Sequence, residues 1–188
     1  MLLTLLLAIT LWTDSLLFEA YQHEEMDMWR EFVTQEHSPF AIRLSPLLYE
    51  YGFCGYIVDR DKPNALPYVQ QFRQHVEAAK DQLPIGHYEM YMSAVYVFEL
   101  RLHESIHPLK SMNLAKEATR LAPDDPLVLS YYGTCLFYAP KPFGNKQEAL
   151  QWFEKAKVLF HGDEWQYCWV REANEMYIQQ CHEKLKKH

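Results

Sequence analysis

The sequence has few glycines and cysteines, and it lacks the short motifs that many enzymes carry. Its 188 residues include 6 glycines and 4 cysteines, and no two cysteines have the C-x-x-C spacing of zinc and redox sites. A glycine-rich phosphate loop and a G-x-S-x-G nucleophile motif are also absent. We therefore predict a protein that is not an enzyme and that needs no cofactor.

Positive charge is scarce as well. The chain has 18 Lys and Arg residues against 25 Asp and Glu, a net charge of −7. Its one basic cluster lies at the C-terminal end, at Lys184, Lys186 and Lys187. Nucleic acids and anionic membranes are bound by basic surfaces. We therefore expect no nucleic-acid partner, and we predict that the chain binds a protein or peptide, or else a small apolar molecule.

An apolar run opens the chain but is too short to cross a membrane. Residues 1–12 carry no charge, yet they fall short of the roughly 20 residues of a membrane-spanning helix. Two interpretations stay open: a signal-peptide core, which would export residues 13–188 to a bacterial periplasm, or an apolar N-terminal helix segment of a cytoplasmic protein. Against a signal peptide, no basic residue follows Met1 and no Ala-x-Ala site precedes Thr13. In either case we expect no transmembrane span in the mature chain.

Residues that favour helix dominate the composition, and the stretch 123–160 shows the helical pattern most clearly. A chain of 188 residues has the size of one domain. Asp125 and Pro126 are typical of a helix start. One face of the following helix is predicted to carry residues that recur at three- and four-residue spacing, namely Leu129, Tyr132, Gly133 and Leu136.

A second helix is predicted from Lys146 to Phe160. Its Ala149, Phe153 and Ala156 share one face. Glycine inside a helix costs about 1 kcal/mol relative to alanine, so Gly133 predicts that a neighbouring helix approaches closely there. The two helices are thus predicted to form a hairpin in which a small residue faces a large one.

This hairpin resembles the tetratricopeptide repeat. In that family the first helix carries a large residue, leucine-glycine and tyrosine, and the second carries alanine, an aromatic residue and alanine. Two features depart from the pattern: the loop 138–145 is about four residues longer than usual, and His161 stands in place of a proline. The loop and the helix after it are similar to those of small exported bacterial repeat proteins.

Weaker copies of the same pattern predict the rest of the fold. Hairpins are expected over 45–82 and 88–121, with one amphipathic helix from Asp14 to Gln35 before them. A capping helix is expected from Glu164 onward. The resemblance implies an all-α superhelix of about three hairpins, forming a single domain over residues 13–188.

As a repeat array, the chain is expected to mediate interaction with a peptide or partner helix through its concave side. If Gly52, Ala94 and Gly133 are equivalent positions, an aromatic stripe lines that groove. Its predicted binding residues are Tyr49, Phe53, Tyr56, Tyr88, Tyr91, Phe98, Thr134, Phe137 and Tyr138, with Ser130 beside them. An alternative stays open, in which the N-terminal helix fills the groove through Leu16, Trp29 and Phe32 and the aromatic residues are plain core.

A second function is implied by the same resemblance. The chain looks like the repeat-containing partner of periplasmic TRAP-type transporters, whose arrays are thought to enclose a hydrophobic cavity. On this interpretation the aromatic side would bind a small apolar ligand, with tyrosine hydroxyls fixing its orientation.

One short motif suggests metal chemistry. His103, Glu104 and His107 match H-E-x-x-H, in which two histidines one turn apart hold zinc and the glutamate acts as general base. Pro108 follows at once, whereas a zinc hydrolase needs both histidines on a rigid helix. We therefore interpret the match as coincidental, rank a zinc hydrolase third among the functions, and predict no metal.

The four cysteines are expected to be small buried residues of apolar helices. Cys168 and Cys181 are too far apart along one helix to pair, at roughly 20 Å. For an exported chain, Cys135 with Cys168 is the one disulfide that the order of the helices suggests.

Overall fold

The structure, a computed structural model, describes residues 13–35, 44–103 and 108–186. These residues form helices and no β-strand, so the predicted all-α class is confirmed. In chain order the helices are α1 (Asp14–Gln22), α2 (Met26–Thr34), α3 (Pro46–Arg60), α4 (Lys62–Ala78), α5 (His87–Leu102), α6 (Pro108–Leu121), α7 (Pro126–Tyr138), α8 (Lys146–Leu159) and α9 (Trp169–Leu185).

The middle of the chain is a row of helical hairpins. Helix α3 packs on α4, α5 on α6 and α7 on α8, and each hairpin also contacts the next. The first helices of the hairpins touch one another, α3 with α5 and α5 with α7, so they form an inner layer. Helix α9 closes the row against α8 and α7.

The α7–α8 hairpin shows how the sequence produces this packing. Asp125 caps α7 by accepting hydrogen bonds from the backbone N–H groups of Leu127 and Val128, at 2.9 and 3.1 Å. At Gly133, an added Cβ would lie 2.8 Å from the ring of Phe153 on α8. The predicted close approach of a neighbouring helix is therefore confirmed, because only the absent side chain admits this ring.

The single N-terminal helix predicted over 14–35 is wrong. The chain forms two helices, α1 and α2, separated by a turn at residues 23–25 in which Glu24 has a φ of 58°. The turn folds α2 back on α1, so that the indole Nε1 of Trp29 donates to the carbonyl oxygen of Leu17 at 2.7 Å. Both side chains are buried as a result, which a continuous helix cannot achieve for residues on its opposite ends.

The C-terminal region also begins differently from the prediction. A 3₁₀ turn, Asp163–Trp165, replaces the first part of the expected helix, and α9 starts at Trp169. The ring of Trp165 packs edge-on against Phe160 at the end of α8, with the centroids 5.4 Å apart. This turn brings the start of α9 to the inner layer of the array, where α9 meets α1 through a 3.2 Å hydrogen bond from Gln22 to Glu172.

Candidate functional site

The inner side of the array is covered by the helices that precede and follow the row of hairpins. At Gly52 on α3, an added Cβ would lie 2.5 Å from the Trp29 ring on α2 and 2.8 Å from the Trp169 ring on α9. Trp29 and Trp169 also pack edge to face, with their ring centroids 5.8 Å apart. Helices α1, α2 and α9 therefore lie over the surface where a groove was expected.

The assumed equivalence of Gly52 and Gly133 is wrong. Gly133 faces the second helix of its own hairpin, whereas Gly52 faces the two tryptophans of the chain ends. In α3 it is Phe53 that packs on its own hairpin partner, against Tyr68 of α4 at a centroid distance of 5.0 Å. In α5 that position belongs to Ser93, whose hydroxyl donates to the Ser111 carbonyl at 2.8 Å.

More than half of the predicted binding residues lie in the core. Five of them expose 4% of their surface or less, namely Tyr49, Phe53, Tyr91, Phe98 and Phe137. Tyr49 donates a 2.6 Å hydrogen bond to Oδ1 of Asp14 on α1 and packs edge-on against both Trp29 and Phe32 of α2. These side chains therefore offer no free surface to a ligand in this structure.

The other four predicted residues are more accessible, but only two of them lie close together. Tyr56 and Tyr88 are half-buried elsewhere on the array, with the Lys80 ammonium 5.0 Å from the Tyr88 ring centre. Thr134 lines a cavity on the inner side, and Tyr138, one turn further along α7, is 64% exposed. The structure thus brings Thr134 and Tyr138 to one place and leaves Tyr56 and Tyr88 apart from it.

The cavity lies between the inner layer and the helices that cover it, α1 and α9. Its volume is about 110 Å³. Every side chain that lines it is uncharged, and the walls come mainly from aromatic and aliphatic residues of five helices, including Tyr21, Tyr51, Met90, Leu127, Tyr131 and Trp169. Ser130, which was predicted beside the groove, and Thr134 add hydroxyl groups. Such a lining is suited to van der Waals contact with an apolar group and to a few hydrogen bonds.

The tyrosines around the cavity act as neutral hydrogen-bonding groups. Burial raises the pKa of the Tyr51, Tyr131 and Tyr177 hydroxyls well above the usual range of tyrosine. The Tyr131 hydroxyl lies 2.8 Å from the Ser93 hydroxyl. The indole Nε1 of Trp169 is buried without a hydrogen-bond partner. The arrangement can therefore orient a bound molecule through hydrogen bonds from neutral hydroxyl groups.

The cavity reaches the surface between α7 and α9. Tyr177 lines it and Met176 beside it is 42% exposed. The hydroxyl of Tyr138 lies 3.4 Å from the hydroxyl of Tyr177. We call this opening, lined by Thr134, Met176 and Tyr177 and with Tyr138 beside it, the mouth of the cavity.

Sequence reasoning missed the cavity residues of the terminal helices. Tyr21, Trp169 and Tyr177 fall within the N-terminal and C-terminal segments that were expected to be helical, and the structure places all three in helices. Their periodicity indicates that one face of each helix is covered, but it does not say which part of the chain covers it.

The first histidine of the H-E-x-x-H segment does not lie within a helix. Helix α5 ends at Leu102, and His103 is its C-cap residue, with a φ of 66°. The Nε2 atom of His103 lies 3.3 Å from the Lys62 ammonium. Glu104 and His107 lie outside the described residues. Among the residues that the structure does describe, no three metal-binding side chains come together.

The cysteines occupy separate sites. Cys54, Cys168 and Cys181 are buried and Cys135 is half-buried, and all four are free thiols. Cys168 is the N-cap residue of α9 rather than a residue within that helix. The structure therefore contains no Cys135–Cys168 disulfide.

Taken together, the described residues define an all-α protein built from consecutive helical hairpins. No protein-family model, no curated protein and no solved structure matches this chain. Within the described ranges, no helix is both long enough and apolar enough to span a membrane. Residues 1–12, for which a signal peptide was considered, are not among the described residues.

Proposed function

We propose that this chain is a tetratricopeptide-like repeat protein that binds a small apolar molecule in the cavity between α1, α3, α5, α7 and α9. The observation that supports this proposal is the covering of the inner side by both chain ends. An α-helix with its side chains is about 10 Å across, and the space that remains is about 110 Å³. A partner helix does not fit there, whereas a small molecule does.

The size and lining of the cavity limit the ligands that it can bind. An apolar cavity of about 150 Å³ can hold a molecule of benzene, and one water corresponds to about 30 Å³ of liquid. A volume of about 110 Å³ therefore suits about four or five non-hydrogen atoms. Met90 and Met176, both at the cavity, are flexible side chains that can adapt to slightly larger molecules.

This function is in keeping with the second resemblance described for the sequence. A repeat protein with an enclosed apolar cavity would serve a periplasmic TRAP-type transporter by holding a small molecule for it. We accordingly propose that residues 1–12 act as a signal peptide and that the mature protein is periplasmic. N-terminal sequencing of the protein purified from its native cells tests the location, since a start beyond residue 12 is expected.

Binding is tested with 1-pentanol as a probe, followed by NMR chemical-shift changes of the cavity residues. Ala173 is buried at the cavity wall, so Ala173→Leu fills the space and is expected to abolish binding. Ala78 is exposed at the end of α4, so Ala78→Leu makes the same chemical change away from the cavity and should bind as the natural chain does. Binding that survives Ala173→Leu, or no binding to the natural chain, would contradict the proposal.

Protein–protein interaction remains a second candidate because one edge of the array exposes large apolar side chains. The hairpins are antiparallel, so α5, α7 and α9 end where α6 and α8 begin. Four side chains at this edge are between 36 and 64% exposed, namely Leu109, Tyr138, Phe143 and Leu185. Capture of a partner from native cells should be lost in Phe143→Ser and retained in Val158→Ser, which changes an exposed residue elsewhere. Equal capture by both variants would exclude this edge as the interface.

A further inference from the structure

One face of α9 leads from the cavity to a pair of lysines. Val170, Ala173 and Tyr177 line the cavity, and Lys184 follows Tyr177 by seven residues, which returns it to the same face of a helix. The Lys184 ammonium lies 4.3 Å from the centre of the Phe137 ring, and this ring is 5.5 Å from the ring of Tyr177. The cation is thus only two rings away from the cavity.

A second cation meets the first at the same ring. The ammonium of Lys146, the first residue of α8, lies 5.5 Å from the centre of the Phe137 ring. Both lysines lower the pKa of Cys181, although burial, the larger effect, raises it overall. Their charges therefore act on one small region, which lies next to the mouth of the cavity.

Neither lysine is neutralised by a carboxylate of the described residues. Lys155 and Lys157 on α8 each form an ion pair, with Asp124 at 3.5 Å and with Glu175 at 2.8 Å. Lys146 and Lys184 contact an aromatic ring instead, in a chain whose net charge is −7. Two unneutralised cations beside an uncharged cavity form a place for an anion whose apolar part lies in that cavity.

The hydroxyl groups at the mouth fit the same ligand. The oxygens of Tyr138 and Tyr177 are 3.4 Å apart, longer than the 2.7–2.8 Å usual for hydroxyl pairs. The Tyr177 hydroxyl is a neutral donor near pH 7, because burial and its hydrogen bond with Tyr138 raise its pKa. Each of the two hydroxyls can donate to a carboxylate oxygen, and hydrogen bonds to a charged acceptor are the stronger ones.

We propose that the ligand of the cavity is a short-chain monocarboxylate. This inference depends on the proposed function, since it assigns a chemical class to the molecule bound at the same site. The hydrocarbon chain lies among Tyr51, Met90 and Leu127. The carboxylate lies at the mouth, where the hydroxyls of Tyr138 and Tyr177 donate to it and Lys146 and Lys184 neutralise its charge. The cavity volume suits a chain of about four or five carbons.

The proposal is tested by comparing three probes of one chain length, namely pentanoate, 1-pentanol and pentylamine, by NMR titration of the full chain. Ion pairs of exposed groups are individually weak, so the two lysines together should make pentanoate bind about tenfold more tightly than pentanol. Pentylamine should bind more weakly than pentanol. The advantage of pentanoate should shrink as salt is raised, because salt screens exposed charges.

A double variant, Lys146→Gln with Lys184→Gln, separates the charge from the cavity. It should lower pentanoate affinity to about that of pentanol, a loss of about tenfold, and leave pentanol binding unchanged. Lys186→Gln is the matched control, since Lys186 is exposed at the same end of α9. It should change neither affinity by more than about twofold.

The outcomes also separate this inference from the proposed function. If pentanol binds as tightly as pentanoate, or if the double variant keeps the preference for pentanoate, the carboxylate assignment is overturned while the apolar cavity function stands. If no probe shifts the cavity resonances, both proposals fall. If Lys186→Gln weakens pentanoate as much as the double variant does, the effect is one of general charge, and the assigned lysine pair is overturned.

Discussion

Gly133 and Gly52 allow the two kinds of packing in this molecule to be compared. Each glycine admits an aromatic ring that an added Cβ would approach to 2.8 Å or less. At Gly133 the ring is Phe153, from the other helix of the same hairpin. At Gly52 the rings are Trp29 and Trp169, from the two ends of the chain.

The difference shows which parts of the array are local and which depend on the whole chain. A hairpin packs through residues about 20 positions apart, so each hairpin is specified by its own sequence and its immediate neighbours. The inner side is held by contacts between helices α2, α3 and α9, which no single repeat contains. The cavity lies in this second region, and so its existence depends on both chain ends.

Of the substitutions that test this comparison, the removal of Trp29 should lower the stability of the protein the most. Trp29 is 1% exposed and donates a hydrogen bond to Leu17, so Trp29→Ala should lower the free energy of unfolding by about 3–5 kcal/mol. Urea denaturation measures the change. Trp152→Ala is the control on outer helix α8, where the indole is only half-buried against Tyr132, and should cost clearly less. Equal losses of stability in the two variants would show that packing on the inner side contributes no more than packing on the outer helix.

Gly133→Ala should have an intermediate effect. The added Cβ meets the Phe153 ring at 2.8 Å, and overpacking of this kind costs about 1–3 kcal/mol. Phe153→Leu in the same chain should recover part of that loss, because the smaller side chain leaves room. Gly52→Ala, combined with Phe153→Leu, provides the control and should show no recovery, since Gly52 faces the tryptophans. If the losses of stability from Gly133→Ala and Phe153→Leu simply add in the double variant, the contact between these two residues is contradicted.

The Asp125 cap should have a smaller effect that depends on pH. Hydrogen bonds from His87 and from two backbone N–H groups lower the pKa of Asp125, although burial alone, the largest single effect, would raise it. A carboxyl whose pKa is lower in the folded state stabilises the fold above its unfolded pKa of about 3.9. That stability is lost as pH falls through the lowered folded pKa.

Asp125→Ala should therefore lower the free energy of unfolding by about 1–2 kcal/mol at pH 7. The difference from the natural chain should narrow progressively below about pH 4. Thermal unfolding of both chains across this range measures it. Asp124→Ala, which changes an exposed neighbour, should show little difference at any pH. A difference for Asp125→Ala that is constant down to pH 2 would show that the carboxylate charge has no part in the cap.

The smallest expected effect concerns the disulfide that was considered between Cys135 and Cys168. Burial raises the pKa of Cys135 and of Cys168 to about 11 each, so little thiolate is present at pH 8. Thiol labelling of the folded protein should therefore be slow. In denaturant, the same number of thiols should react with and without prior reduction. Two fewer thiols before reduction would reveal a disulfide.

The hairpins could be predicted from the sequence because their signals are local. Asp125 and Pro126 were expected to mark a helix start, and α7 does begin at Pro126. The turn at residues 23–25 could not be predicted in this way, since it contains neither glycine nor proline. What selects it is the burial of Trp29 against Leu17, a tertiary contact.

The candidate site could be predicted only in part. Thr134 was assigned to the inner side and does line the cavity, because α7 was placed in the correct register. In α3 the register was one residue off, since Phe53 and not Gly52 faces the partner helix. One residue rotates a helix by about 100°, which is enough to turn Phe53 from the inner side toward Tyr68 of α4. The residues next to a glycine in the sequence do not determine whether it faces its hairpin partner or a distant tryptophan.

The meeting of α1 and α9 has a consequence for the order in which the protein is made. The hydrogen bond from Gln22 to Glu172 joins residues 150 positions apart, and closing so long a segment has an entropy cost that contacts within a hairpin avoid. On the ribosome the hairpins can form one after another as they emerge. Trp169 reaches Gly52 only after α9 has been synthesised, so the cavity forms later than the three hairpins.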